Sequence, residues 1–315
     1  MFSYNGLEKK LVERGVKRSE LPKALGISSR TVAKIGKGEK LSRAVMEKLC
    51  VFFSCDPSEL CREISDNPIL QTLRDEKNAR ISGGLYHELQ VQMTYNSNHM
   101  EGSRLSEDQT RLIFETNTVD AGAVPVDDVL ETVHHFRAID YVIDCADEPL
   151  TEETVKTLHL ILKRDTKDST LDWFAVGEYK KRPNVVGGRE TTKPKDVPAR
   201  MKKLIDEYNA KSKVDIEDVV VFHAEFERIH PFQDGNGSVG RLIALKECLR
   251  HNIVPFLIED SKKAFYYRGL ANWDDATGWL VDTCLDGQDT FKRLLARFAP
   301  DGGGPGSRSR AELRS

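Results

Sequence analysis

Apolar positions recur so densely from Asp218 to Ile229 that this stretch reads as a mostly buried helix. Pro231 blocks its continuation, because proline lacks the amide proton and disfavours helix at the residue before it. Leu242 to Leu249 reads as a second helix. Between them lies a helix–loop–helix junction, with Gly235, Asn236 and Gly237 at the start of the second helix. Upstream, Leu7 to Leu60 reads as helices punctuated by Gly15, Gly26 and Gly38. Tyr95 to Leu105 contains a helix end stopped by Gly102, with Ser97 and Glu101 four apart and therefore on one face. Gly177 to Thr192 breaks from helical patterning. Val185-Val186, a Gly187-Gly188 turn and Thr191-Thr192 read there as a short hairpin. Pro194 and Pro198 then lead into another helix, and Ala264 to Leu270 is helical again, with Tyr266 and Tyr267 read as core.

The junction carries the chemistry. His230-Pro231-Phe232-Gln233-Asp234-Gly235-Asn236-Gly237-Ser238-Val239-Gly240-Arg241 holds one imidazole, one carboxylate, three glycines, one Asn and one Arg. Each suits a nucleotide polyphosphate. Histidine takes a proton near neutral pH. A carboxylate binds Mg²⁺, which keeps substrate phosphates among its oxygen ligands. Glycines let the backbone turn its amides toward an anion, and a helix N-terminus is a ready anion site. Arg241, about one turn into the helix, is placed to hold a terminal phosphate bidentately.

The segment resembles the Fic family motif HPFx(D/E)GNGRxxR at every fixed position but one. The resemblance implies His230 as general base on a target hydroxyl and Asp234 on Mg²⁺ (or Mn²⁺). It implies Asn236 and the Gly235 and Gly237 amides on the phosphates, Arg241 on the γ-phosphate, and Phe232 as a buried anchor for the loop. The family's usual product is an AMP–protein adduct, made by attack of a Tyr, Thr or Ser hydroxyl on the α-phosphorus of ATP. The departure is Ser238, where the family usually has its first Arg. A charged hydrogen bond is worth roughly 1.5–3 kcal/mol, so its loss costs about tenfold to a hundredfold in ATP handling. A slower enzyme, another nucleotide or a cation borrowed from elsewhere each accommodates this.

Ser97, Glu101 and Gly102 resemble the inhibitory motif (S/T)xxxE(G/N) of many Fic proteins. There the Glu pairs with the second motif Arg, here Arg241, and ATP is left in a pose poor for in-line attack. The same Glu can instead orient a water and favour AMP removal. The hairpin with Val185, Val186, Gly187 and Gly188 resembles the Fic flap, which offers a strand edge to the target's extended segment. The helix with Tyr266 and Tyr267 resembles the one lining the nucleoside side. Packing on adenine or automodification is the other reading of that pair.

Ser19 to Ile35 has the pattern of a helix-turn-helix, with Leu21, Ala24, Leu25, Ile27, Val32 and Ile35 inside, Gly26 at the turn and Ser28 capping the second helix. It resembles the Cro/repressor type of bacterial DNA-binding domain, which implies Ser28, Ser29, Arg30 and Lys34 at the major groove or phosphates. Pro22 is atypical there, though tolerated in a first turn. Residues 1–55 hold 12 Lys and Arg against 5 Asp and Glu, a net +7, while the rest holds 35 against 45. A basic small domain on an acidic body points to a polyanion partner for the first part alone. Such modules read DNA as dimers, so a homodimer is expected.

The 315 residues allow two domains and a sizeable core, and 39% hydrophobic with 31% charged residues is a globular balance. No apolar run approaches the roughly 18–20 residues that span a bilayer. The start is no signal peptide. The six cysteines form no C-x-x-C pair, and five lie in helical patterns, read as small core residues in a reducing cytoplasm. His134-His135 lacks zinc-ligand spacing.

The expectation is an all-α Fic helical core with a small β-hairpin flap, preceded by a helix-turn-helix domain. The segments are a DNA-binding-like domain (1–63), a connecting helix (64–80), a Fic domain with its N-terminal inhibitory helix (81–299) and a disordered tail (300–315). The expected activity is protein adenylyl transfer from MgATP to an unknown target protein and to the chain itself, restrained by Glu101, in the cytoplasm and away from membranes. A nucleotide-sensing DNA-binding regulator, or a hydrolase that removes AMP through Glu101, is the alternative.

Overall fold

A computed structural model of the protein describes residues 2–63, 67–120 and 122–298. The described residues form two compact units, 2–63 and 67–298. The tail expected at 300–315 lies outside the described residues, as does part of the connecting segment, residues 64–66.

The first unit holds β1 (Phe2–Ser3), α1 (Asn5–Glu13), α2 (Leu21–Leu25), α3 (Ser29–Gly36), α4 (Arg43–Phe53), α5 (Pro57–Leu60) and β2 (Arg62–Glu63). The two strands pair antiparallel, Phe2 opposite Glu63 and Ser3 opposite Arg62. Leu7, Leu11, Leu21, Ile35, Leu41, Leu49, Phe53 and Leu60 form the core. Gly26 takes the left-handed conformation (φ 59°) at the end of α2, where other residues are strained. Ser28 accepts from the Thr31 amide at 3.1 Å and so caps α3. Pro22 sits in the first turn of α2, where it costs no hydrogen bond. One expectation fails: Ala24 is exposed. The five residues of α2 present only Leu21, with Leu25 beside it, to the core.

The second unit holds α6 (Pro68–Ala79), α7 (Leu85–Met100), α8 (Glu107–Thr116), α9 (Val126–Cys145), α10 (Glu152–Lys163), β3 (Val185–Val186), β4 (Arg189–Glu190), α11 (Val197–Asn209), α12 (Ile216–Ile229), α13 (Asn236–Arg250), α14 (Lys263–Ala271) and α15 (Gly278–Phe298). The helix α6 belongs here, because Leu70 and Leu73 enter this unit's core. At the centre is α13, with α7, α9, α10 and α12 against it. Every residue of it from Ser238 to Leu249 is buried, which is why its sequence shows no single apolar face. Buried Lys246 is satisfied there by Glu247 at 2.8 Å. A reciprocal capping box between Asp215 and Asp218 starts α12.

The hairpin pairs Val185 with Glu190 and Val186 with Arg189. Its second strand is thus Arg189–Glu190 rather than Thr191-Thr192. A two-residue turn puts the residues flanking Gly187 (φ 57°) and Gly188 (φ 79°) into register, and Thr191 instead closes the base of the hairpin on Asn184. The cysteines also differ from expectation. Cys248 and Cys284 are buried, but Cys50, Cys55, Cys61 and Cys145 are only partly so. Cys55 and Cys61 lie just past helix ends, where the chain turns toward the surface. Tyr266 is core and Tyr267 is not; the latter is 37% exposed.

No helix among the described residues is long and apolar enough to cross a membrane.

Candidate active site

The helix α12 stops at His230, which takes φ 52°, a left-handed turn that reverses the chain before Pro231. Phe232 is fully buried and stacks on the His159 ring, 4.0 Å between centroids and 3° between planes. Asn236 then closes the loop on itself. Its Oδ1 accepts from the Phe232 amide at 2.8 Å and its Nδ2 donates to the Phe232 carbonyl at 3.0 Å. The Asn236 side chain is thereby engaged within the loop. Gly235 (φ 76°) turns the chain into α13. The first amides of that helix, at Asn236, Gly237 and Ser238, have no acceptor within the helix, as at any helix N-terminus.

His230 Nδ1 lies 3.3 Å from the Glu227 carbonyl. A carbonyl only accepts, so Nδ1 carries the proton and Nε2 keeps its lone pair. Burial, reinforced by the Lys180 ammonium, pushes the imidazole down to about 4. It is therefore neutral at pH 7. Burial also holds His135, His159 and His223 at about 3. The sign of the linkage is clear. These histidines stay neutral in the fold but protonate when unfolded near their usual 6.5, so their contribution is lost as pH falls from 6.5 toward 4. Each net proton is worth roughly 1.4 kcal/mol per pH unit. Glu227, pushed up to about 8 by burial, opposes this by one proton. The urea midpoint is expected to fall steadily from pH 6.5 to 4.5; a midpoint flat over that range would contradict these assignments.

Arg241 is 5% exposed. Its Nη2 is 2.7 Å from Glu101 Oε1 and 3.1 Å from the Ser97 carbonyl, and its Nε donates to Ser97 Oγ at 3.0 Å. The structure thus brings Ser97, Glu101 and Arg241 together. Gly102 follows at φ 101°, turning the chain away after α7. Glu101 also lies over the start of α13: a Cβ on Gly237 would stand 2.1 Å from Glu101 Oε1. Ser238 is buried, with its Oγ 3.4 Å from Ser97 Oγ. Arg241 Nη1 and Glu227 Oε1 are buried without a hydrogen-bond partner.

Asp234 has a half-exposed side chain, paired with Lys163 at 2.6 Å. Partial burial pushes the carboxyl up, but the Lys163 ammonium outweighs it and holds the group below the usual carboxylate range. Three residues at the site carry no motif in the sequence. Glu227 lies one turn before His230. Lys163 ends α10, about seventy residues upstream. Lys180 is buried at the flap base, where its ammonium donates to Asn184 Oδ1 at 2.7 Å and Thr191 Oγ1 at 2.6 Å. Burial lowers Lys180 to about 8. Its backbone amide donates to the Pro231 carbonyl at 2.8 Å, so this lysine ties the hairpin to the loop. Val185 and Val186 are 62% and 47% exposed, leaving their strand edge open beside Gly187 and Gly188.

In the first unit, Ser29 and Arg30 are exposed at the start of α3, while Lys34 is partly covered and 3.7 Å from Glu39.

Comparison with known proteins places both units. Residues 149–248 match the Fic/DOC family and residues 6–66 match the Cro/C1-type HTH DNA-binding domain. Among curated relatives, the chain is similar to a protein adenylyltransferase Fic of Drosophila willistoni, 27% identical over 186 residues, 58% of this chain and 36% of that protein. One of Culex quinquefasciatus is 28% identical over 183 residues, 57% and 36%. The chain thus spans little more than a third of the length of these relatives. Among solved structures, a Fic domain containing signaling protein from Bacteroides thetaiotaomicron is 25% identical with a TM-score of 0.57, over 72% of this chain and 94% of that one. Fic-1 from C. elegans shares the fold, at 20% identity and a TM-score of 0.57, over 73% and 71%. The chain carries a Fic/DOC domain of helical Fic fold, preceded by a Cro/C1-type helix-turn-helix domain.

Proposed function

We propose that the second unit transfers AMP from ATP to a Tyr, Thr or Ser hydroxyl of a protein, its own chain included, and that Glu101 restrains it. The observation that carries this reading is the position of Glu101. Its carboxylate pairs with the Arg241 guanidinium and lies close against Gly237 at the start of α13, beside the two features a polyphosphate needs. A carboxylate already on that guanidinium supports an anion site that is blocked in the resting state.

In the reaction, the target hydroxyl oxygen bonds to the α-phosphorus, pyrophosphate leaves with the electrons of the broken P–O bond, and the hydroxyl proton passes to His230 Nε2. The neutral imidazole and the fixed Nδ1 proton suit that role. Asp234, an ionised, half-exposed carboxylate at the edge of the loop, would hold Mg²⁺ or Mn²⁺, and the ion would supply neutralisation of phosphate charge. The open edge of Val185–Val186 pairs with the target's backbone and brings its hydroxyl to His230. The test is ATP labelled at the α-phosphate against ATP labelled at the γ-phosphate. Glu101→Gly protein denatured after incubation should retain only the first label. Retention of neither, with nucleotide bound, would favour the nucleotide-sensing regulator.

The first unit has a separate reading as a DNA-binding module, supported by its matched domain and by the capped, exposed start of α3. Arg30→Ala is expected to weaken duplex DNA binding in fluorescence anisotropy by about fivefold to a hundredfold, the value of one base or phosphate contact. The wild-type affinity should fall steeply with salt and the species bound should be a dimer. Unchanged affinity in Arg30→Ala would remove α3 from the interface.

A further inference from the structure

The reaction as drawn leaves one cation of the site without a role. The loop from Asp234 to Arg241 contains a single cation of its own, Arg241, already engaged by Glu101. Position 238 is uncharged, and Ser238 only fills the polar pocket between Ser97 Oγ at 3.4 Å and Arg241 Nη2 at 3.5 Å. On the other side of the loop lies Lys163. Its side chain is 12% exposed and its ammonium is 2.6 Å from Asp234 Oδ2 and 2.6 Å from Glu131 Oε1. Its stem runs over the loop's first glycine: a Cβ on Gly235 would stand 2.7 Å from Lys163 Cε.

We propose that Lys163 is the second cation of the phosphate loop, standing in for the arginine that Ser238 replaces, and that it also positions Asp234. An ammonium has three donors and no acceptor. Two go to Glu131 and Asp234, which fix the charge at the loop, and the third is left for a phosphate oxygen. The pairing is more than a surface ion pair, because Lys163 is nearly enclosed and its reach over the loop depends on residue 235 having no side chain. It has no place in the loop's own sequence because it comes from the end of α10. The inference rests on the reading of the loop as a polyphosphate site.

The experiment is calorimetric titration of MgADP into the full chain and its variants, which needs no transfer to occur. Lys163→Met is expected to weaken binding by about tenfold or more, as for loss of a charged hydrogen bond. Lys163→Arg should stay within about threefold of wild type, since the charge is kept. In a Ser238→Arg background, Lys163→Met should cost less than about threefold, because the two cations then substitute for one another. Lys163→Met leaves two carboxylates facing each other, so Lys163→Met with Glu131→Gln serves as the variant that relieves them. It should melt near wild type and still bind weakly. Affinity unchanged or tightened in Lys163→Met would overturn the proposal and make the lysine a mere counter-ion of the carboxylates. So would an equal loss in both backgrounds at position 238. If no variant transfers AMP, the MgADP result still decides the role of Lys163. If Glu101→Gly transfers AMP while Lys163→Met binds normally, only this inference fails.

Discussion

Glu101→Gly is expected to raise automodification by about tenfold to a hundredfold, measured as the initial rate of AMP incorporation. Glu101 holds Arg241 by a 2.7 Å charged contact and lies against Gly237. Removing it frees the guanidinium for the γ-phosphate and clears the space beside Gly237. The size follows from one charge-assisted hydrogen bond regained by the nucleotide, roughly 1.5–3 kcal/mol. Stability should move the opposite way. A buried Arg241 that loses its carboxylate keeps only uncharged partners, Ser97 and Ser238, so the melting temperature of Glu101→Gly should fall. Part of the loss is offset nearby, because Glu101 helps to keep Glu227 protonated; with Glu101 gone, Glu227 ionises more readily beside Arg241. A variant that gained activity and stability together would contradict the pairing as the resting-state restraint. Unchanged activity would remove Glu101 from the inhibitory role.

His230→Ala, made in the Glu101→Gly background, should lower transfer by about 10²–10⁴-fold, the usual worth of a positioned general base. Nucleotide binding should persist, because His230 anchors its Nδ1 on the Glu227 carbonyl and stands apart from the guanidinium and amides that meet phosphate. The pH profile separates this role from a structural one. The acid limb of kcat/KM for Glu101→Gly should lie well below the ordinary histidine value, near the 4 to which burial pushes the ring. An acid limb near 6.5 would mean that substrate or another group sets the protonation.

Much of this site is legible in the sequence. The density of unusual residues between His230 and Arg241 marked a helix–loop–helix junction, and the i, i+4 spacing of Ser97 and Glu101 marked a shared face; both describe local chemistry, which sequence carries directly. What was missed is tertiary. Lys163, Lys180 and Glu227 reach the loop only because α10, the flap and α12 converge on α13, and an isolated Lys or Glu on a helix looks like solvated surface. The Asn236 side chain also satisfies the buried Phe232 backbone groups, a partnership that its residue type alone does not show. The helix-turn-helix pattern puts Ala24 inside, but the 5-residue α2 leaves it exposed. The hairpin was placed correctly but its second strand was shifted by two residues, since turn geometry rather than β-propensity sets the pairing.

The most direct test is the intact mass of three proteins after incubation with ATP and Mg²⁺: wild type, Glu101→Gly, and Glu101→Gly with His230→Ala. The account predicts a gain of one or more AMP units in Glu101→Gly, little or none in wild type, and none in the double variant. No gain in any of them, with ATP binding confirmed by calorimetry, would contradict an auto-inhibited AMP transferase.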